Sequence, residues 1–561
     1  MKRVHLFLAI LVVFLIDLTY ILHLPKFSYS TNGPNMLKAI PAVHWILLIL
    51  SSSLLVASLY LNLRNKWPLI IIGLMYGALF YITNLYFVVP YEQTDIPSGL
   101  IEFLLLSGRI TREALSVHSL SYLSYPISFI LEISMMLIGG IGKIEIYTVG
   151  LFVFLGAFYV GLILYYYEKD RDMKFAILSL ATYIVLSFYV INDQVAPQTL
   201  ALAYLPYLYR LTFDYIEGEQ PLKVLVLILI LWFALVFAHP FMFLFYILPV
   251  LGVVVYNRVV LKQPGIKDST IWIMISIWGF GFVYLFYNLL SIPLRMFVES
   301  WGKVQGETWW VFANFFRKSG ALGPIKYTPH PHYELVPKWI FETQALVLRV
   351  MVILFAGIVL YSFILELKRA LTSGKLSPQL VFDVSVMVSS GILFVIGLIT
   401  IFLGQRSFQV AFIPLSRYTK HVIEGNRRYL KVALMIVMML APVLFTFNFM
   451  VNSTVGSPMF IRDTSTLKAG EFLDYSATGI QGYVFVGTDE ISPIDVSKYK
   501  RTAITWIRDG KFSPSRFKYI IWNKKVKMTV EHYGIDRQFY EELEKRNVIY
   551  NNKFSRIYQR R

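Results

Sequence analysis

The sequence predicts a mainly α-helical, polytopic membrane protein: a bundle of about thirteen membrane-spanning helices followed by a small α/β domain. Of 561 residues, 57% are hydrophobic and only 15% are charged, whereas an ordinary soluble domain has about 45–50% apolar and 25% charged residues. Long apolar segments recur along most of the chain, and polar segments replace them after about residue 451. Lipid is therefore the expected main solvent of this chain.

The charged residues are mostly basic, with 52 Lys and Arg against 34 Asp and Glu, a formal net charge of +18. In a soluble protein this excess would suggest a nucleic-acid partner. In a membrane protein the cytoplasmic loops collect Lys and Arg, so we expect membrane lipids and no nucleic acid as partners. Cysteine is absent, which excludes disulfides, a thiolate nucleophile and a cysteine-ligated metal.

Twelve apolar segments are long enough to cross about 30 Å of hydrocarbon. They lie near residues 4–24, 39–62, 68–90, 146–167, 175–192, 196–213, 221–238, 241–260, 269–292, 341–366, 380–403 and 430–451. The first follows Met1-Lys2-Arg3 and has some features of a signal peptide, but no small-residue cleavage site follows it. We interpret it as the first span, with its amino end in the cytoplasm.

Basic clusters decide how two ambiguous segments, 121–141 and 406–423, are interpreted. The clusters around Lys169 and Arg427 belong in the cytoplasm under the positive-inside rule. A crossing by 121–141 would place the first cluster outside, so we expect a helix lying at the outer interface. Counting crossings in the same way requires segment 406–423 to cross the membrane, so that the cluster around Arg427 also lies in the cytoplasm. The sequence thus predicts two domains. Residues 1–451 form a transmembrane domain with outer loops at 91–145 and 293–340, and residues 452–561 form an extracytoplasmic α/β domain.

The carboxyl-terminal domain is predicted from its change of pattern. Residues 483–487 and 518–522 have the composition of strands, and a charged helix is expected near 537–546. The topology places this domain outside a plasma membrane.

Acidic residues in the outer loops are candidate catalytic groups. Glu92 and Asp95 follow the third span at the water interface, where a carboxylate can stay ionised and act as a base. Asp193 and Gln198 flank a tight outer turn that either stops one helix and starts the next or orients a sugar or a divalent ion. A solvated carboxylate is the alternative for each acidic residue.

Two cationic candidates also lie at outer helix ends. His239 could donate to a phosphate oxygen, and the guanidinium of Arg406 matches two phosphate oxygens or snorkels to the interface. Trp309 belongs to an aromatic cluster that either anchors the chain in the membrane or stacks on a sugar. His330 and His332 make a poor zinc signature without a third ligand, so no metal site is predicted from the residues.

A family resemblance connects these residues. Asp95, Gly108-Arg-Ile110, Ser124-Tyr-Pro126 and Ile138-Gly-Gly140 resemble the first outer loop of the GT-C class of membrane glycosyltransferases, which use polyprenyl-phosphate or dolichyl-phosphate sugars. Similar landmarks follow in order at 193–198, 239–240, 405–414, 547–550 and 556–558. The resemblance covers nearly the whole chain, although each motif is short. Compared with the family pattern, this chain has two extra spans before its first large outer loop.

The resemblance implies an inverting transfer of a sugar from a lipid-phosphate-linked donor to a glycan, lipid or protein acceptor on the outer face. Asp95 would be the base and Asp193 a secondary carboxylate. The implied substrate-binding residues are Arg406, His239, Gln198, Glu92, Trp309 and Tyr125. Thr94-Asp95 stands where many members have paired acidic residues, which leaves the cofactor open, with Mg²⁺ or Mn²⁺ as the candidate.

Two other functions fit a polytopic protein of this kind. A transporter or flippase of lipid-linked saccharide would commonly have paired halves and charges at the bilayer midplane. Here no internal repeat is evident, and the candidate charges cluster at one face. A non-catalytic envelope protein would instead act through its carboxyl-terminal domain.

Overall fold

The structure is a computed structural model, and the fold is mostly helical. It describes residues 2–25, 35–58, 66–86, 126–141, 146–170, 172–187, 197–216, 221–239, 242–259, 336–374, 376–400, 404–424, 428–455, 484–485, 518–523, 536–551 and 555–560, with single positions at 101, 104, 276, 279, 472, 515 and 527. The predicted span at 269–292 thus lies almost entirely outside the described residues.

The helices of the first half are α1 (Lys2–His23), α2 (Met36–Ala39), α3 (Ala42–Ser58), α4 (Lys66–Leu79), a 3₁₀ helix (Ile82–Tyr86), α5 (Pro126–Gly139), α6 (Ile146–Asp170), α7 (Met173–Ser187), α8 (Pro197–Ile216), α9 (Pro221–Ala238) and α10 (Leu244–Val259). The second half has α11 (Lys338–Ser373), α12 (Pro378–Thr400), α13 (Gly404–Ser416), α14 (Thr419–Glu424), α15 (Arg428–Val455) and α16 (Asp536–Leu543).

Four of the described helices contain a stretch long and apolar enough to cross a membrane. These stretches are Val149–Tyr167, Lys338–Ser373, Pro378–Val395 and Tyr429–Val451. Seven further apolar helices have 10–17 residues in the described ranges. The membrane character expected from composition is therefore supported, while the total of thirteen spans stays a prediction.

The two ambiguous segments form short helices. α5 has 14 residues, about 21 Å of helix, which is less than the ~30 Å of a hydrocarbon core. The second segment is divided into α13 and α14 by a turn in which the Arg417 N–H donates to the Pro414 carbonyl at 3.2 Å. None of α5, α13 and α14 alone is long enough to cross the membrane. The topology assigned to the two segments stays a prediction.

Local signals explain the turn between α11 and α12. Gly374 adopts the left-handed conformation, with φ of 64°, and its N–H donates to carbonyls of the last turn of α11, as expected where a helix ends. The Ser377 hydroxyl then accepts the Leu380 N–H at 3.2 Å, which satisfies a donor in the first turn of α12.

Tyrosine hydroxyls join the helices inside the bundle by donating to backbone carbonyls of other helices. Tyr76 bonds to Met438 at 2.8 Å, Tyr166 to Ile413 at 2.9 Å and Tyr209 to Phe245 at 2.6 Å. These three tyrosines are almost fully buried. Polar groups in a membrane interior need such partners because lipid offers none.

The helices pack side by side with their directions fixed by ring contacts. Phe394 near the end of α12 lies 4.8 Å from Phe408 near the start of α13, so these two helices are antiparallel. Phe363 near the end of α11 lies 5.0 Å from Tyr418, just past α13. α11 and α13 therefore begin at the same end of the bundle.

The carboxyl-terminal part forms a small sheet, as the sequence predicts. Its strands are β1 (Val484–Phe485), β2 (Tyr519–Asn523), β3 (Asn547–Asn551) and β4 (Ser555–Gln559), in the order β1-β2-β4-β3. β1 is parallel to β2, and the other pairs are antiparallel. α16 packs on this sheet through Phe539, whose ring lies 5.9 Å from that of Trp522. Its outside location stays a prediction.

Candidate substrate site at one end of the bundle

Three predicted substrate-binding residues lie at one end of the bundle, which we call the site end. Gln198 is in the first turn of α8, and Arg406 is in the first turn of α13. His239 directly follows α9. Pro197 opens α8, where proline is favoured because the missing N–H would have no helical partner. The side chains that follow it are thus held close to the helix end.

Arg406 and Gln198 contact each other directly. The Arg406 Nη2 donates to the Gln198 Oε1, and both side chains are partly buried. This bond joins residues 208 positions apart in the chain. It holds the guanidinium between the first turns of α8 and α13, a suitable position for a group that binds phosphate oxygens in pairs.

His239 lies within electrostatic range of this pair. Its side chain is 8% exposed. Burial, together with the positive charge of Arg406, holds the pKa of His239 well below its ordinary value. The imidazole is therefore neutral at pH 7 and offers one N–H donor and one acceptor. Of these three residues, Arg406 supplies the positive charge.

The remaining predicted site residues lie outside the described residues. They are Asp95, Glu92, Asp193, Tyr125 and Trp309. The described chain resumes at Pro126, which opens α5 directly after Tyr125. α5 contacts α8 and α9, so the end of the first large loop returns to the two helices that bear Gln198 and precede His239.

Arg417 belongs to a different cluster at the opposite end of the bundle. Its Nη2 lies 3.1 Å from the Asp383 Oδ2. The hydroxyls of Tyr165 and Tyr418 donate to the two oxygens of the same carboxylate at 3.0 Å each. An arginine within an apolar segment is costly, so it is expected either near an interface or beside a polar partner. The structure assigns Arg417 to a buried ion pair, and sequence reasoning had not considered Asp383.

A second buried polar cluster was also missed. His44 bonds through Nδ1 to the Asp17 Oδ1 at 2.7 Å and through Nε2 to the Thr83 hydroxyl at 2.9 Å. All three side chains are at most 2% exposed, and they join α1, α3 and the 3₁₀ helix. The available signal was Asp17, an acidic residue inside an apolar segment, because such residues are rare unless paired.

Within the described ranges, no group of three or more His, Cys, Asp or Glu is placed to hold a metal ion. No protein-family model matches the chain. No curated protein is found to be similar to it.

Proposed function

We propose that this chain is a membrane glycosyltransferase of the GT-C class, which moves a sugar from a lipid-phosphate-linked donor to an acceptor on the outer face of the plasma membrane. The observation that carries the proposal is the bond between Arg406 and Gln198 beside His239 at the site end. A guanidinium held at a helix start, next to an N–H donor, suits the phosphate of a lipid carrier.

The proposed reaction is a single displacement at the anomeric carbon. Asp95 accepts the proton of the acceptor hydroxyl as its oxygen attacks this carbon. The bond from the anomeric carbon to the phosphate oxygen breaks, and the lipid phosphate leaves with the bonding electron pair. Attack opposite the leaving group inverts the configuration. The charge that develops on the leaving phosphate is stabilised by Arg406.

Each neighbour of Arg406 then has a distinct role. Gln198 orients the guanidinium by accepting one of its five N–H donors. His239, being neutral, donates an N–H to the phosphate without adding charge. Asp193, five residues before Gln198 in the chain, serves as the secondary carboxylate that positions the sugar or an ion.

We expect donor affinity to fall in the order Arg406, Arg406→Lys, Arg406→Ala. Lysine keeps the charge but loses the two-pronged geometry, and alanine loses both. A hydrogen bond to a charged group contributes about 1.5–3 kcal/mol, so alanine should weaken binding of a short-chain polyprenyl phosphate about 10- to 150-fold. Binding is measured with purified protein in detergent.

The matched control for this series is Arg210→Lys. Arg210 lies on α8, as Gln198 does, but its Nε faces Asp214 at 3.8 Å, nearer the other end of the helix. This substitution should leave polyprenyl phosphate binding unchanged. Equal affinities for Arg406, lysine and alanine at position 406 would remove Arg406 from the site.

The proposed activity itself is tested in liposomes that contain the purified protein. Tritiated polyprenyl-phosphate hexoses are supplied with membranes of the source cells as acceptor, and we expect the label to move to a new glycoconjugate as polyprenyl phosphate is released. A flippase would instead carry the intact donor across the bilayer. Translocation without a new glycosidic bond would contradict the proposal.

A further inference from the structure

Arg349 in α11 differs in its side-chain contacts from the other arginines discussed above. Arg406, Arg417 and Arg210 each contact a partner side chain. Among the described residues, Arg349 forms neither a hydrogen bond nor an ion pair, and its Nε is buried without a partner. The residue as a whole is partly exposed, and of its guanidinium nitrogens only Nε is buried without a partner.

The position of Arg349 along α11 sets its depth in the membrane. Residues 350–365 contain no charged side chain, and Glu366 is 17 positions after Arg349. At 1.5 Å per residue this interval spans about 26 Å, close to the ~30 Å of a hydrocarbon core. Since α11 begins at the site end, Arg349 lies at the boundary between hydrocarbon and headgroups on that side.

The neighbours of Arg349 identify the surface to which it belongs. Leu346, three residues earlier, is 58% exposed, and Ile353, four residues later, is 68% exposed. Residues at these spacings share one face of a helix. A strongly exposed apolar face on a membrane helix contacts lipid, so the guanidinium of Arg349 lies at the edge of a lipid-facing surface.

The protein supplies no neutralising charge at this position among the described residues. The acidic residue on the same face, Glu342, is about 10 Å away along the helix axis, and it pairs with Lys338 at 3.7 Å. Of the helices that pack against α11, α7, α13 and α15 contain no Asp or Glu. The fourth, α14, contains Glu424 but packs at the other end of α11, where His421 lies 4.0 Å from Glu366. An arginine at a membrane boundary without an acidic partner favours an anion from the solvent or the lipid.

We propose that Arg349 binds the phosphate of one anionic phospholipid in the leaflet at the site end. The planar guanidinium donates two parallel N–H bonds to the phosphate oxygens, and the acyl chains lie along Leu346, Val350 and Ile353. A zwitterionic lipid carries its own ammonium group and brings no net charge, so the site selects anionic lipids. This site does not depend on the proposed sugar transfer.

The test measures lipid binding by native mass spectrometry of purified, delipidated protein titrated with phosphatidylglycerol. We expect Arg349→Leu to lose one bound phosphatidylglycerol and to weaken its apparent affinity about tenfold or more. Arg349→Lys should retain part of the binding. The matched control is Arg369→Leu, because Arg369 is 73% exposed at the other end of the same helix.

Three results would overturn the proposal. The first is unchanged phosphatidylglycerol binding in Arg349→Leu, and the second is equal affinity of the native protein for phosphatidylcholine. The third is displacement of phosphatidylglycerol from this position by an equimolar short-chain polyprenyl phosphate, which would assign Arg349 to the lipid carrier. Arg349→Gln, which keeps length and polarity, provides the comparison if the leucine variant unfolds.

Discussion

Arg417→Leu is expected to lower the free energy of unfolding by about 3–5 kcal/mol, because it leaves a buried carboxylate without its cation. Asp383 is fully buried, and its Oδ2 lies 3.1 Å from the Arg417 Nη2. The tyrosine hydroxyls that also donate to this carboxylate cannot neutralise it. The loss is measured by unfolding of the purified protein in one detergent at fixed pH.

A double variant separates charge from packing. In Asp383→Asn with Arg417→Leu, the amide oxygen accepts from one of the two tyrosine hydroxyls and the amide N–H donates to the other, so no buried charge remains. We expect this pair to recover most of the stability lost in Arg417→Leu, because removing both charges of a buried pair is often nearly neutral. A double variant as unstable as the single one would contradict an electrostatic cause.

Arg369→Leu is the surface control. Arg369 lies 3.8 Å from Glu366, but its side chain is 73% exposed. Exposed ion pairs contribute about 0–1 kcal/mol because water screens them and both side chains lose conformational entropy. A large loss of stability in this variant would indicate that substitutions anywhere on the bundle destabilise it.

Much of the helical architecture follows from patterns that a linear sequence can carry. Apolar runs predict α6, α11, α12 and α15 because a helix in lipid must be apolar over most of its length. The small sheet follows from the aromatic and β-branched composition of β2. The break between α13 and α14 was missed, because hydropathy averages over Pro414 and the turn that follows it.

The two buried polar clusters show what linear patterns omit. Asp17 and Asp383 each lie within an apolar segment, which signals a partner. The partners, His44 on α3 and Arg417 just past α13, are 27 and 34 positions away, and only the packing of the helices brings them together. Periodicity sets which face a residue occupies but not which neighbouring helix meets that face.

The position of three candidate residues at one end of the bundle was predictable for a different reason. Gln198, His239 and Arg406 each stand at the end of an apolar segment, so counting crossings places them at one membrane face. Counting crossings gives these three residues a shared level along the bundle axis. It does not fix lateral neighbours, and the bond between Arg406 and Gln198 required the packing of α8 near α13.

Asp95→Asn is expected to reduce turnover by about 10²–10⁴-fold, the usual loss when a general base is removed. Asparagine keeps the shape of the side chain but cannot accept the proton of the acceptor hydroxyl, so polyprenyl phosphate binding at Arg406 should stay unchanged. Turnover is measured as release of polyprenyl phosphate from the labelled donor in liposomes, with donor binding and expression checked in parallel. The matched control is Asp193→Asn, for which we expect a smaller loss and a raised KM, since a positioning carboxylate acts on binding. Activity retained in Asp95→Asn but lost in Asp193→Asn would move the role of base to Asp193.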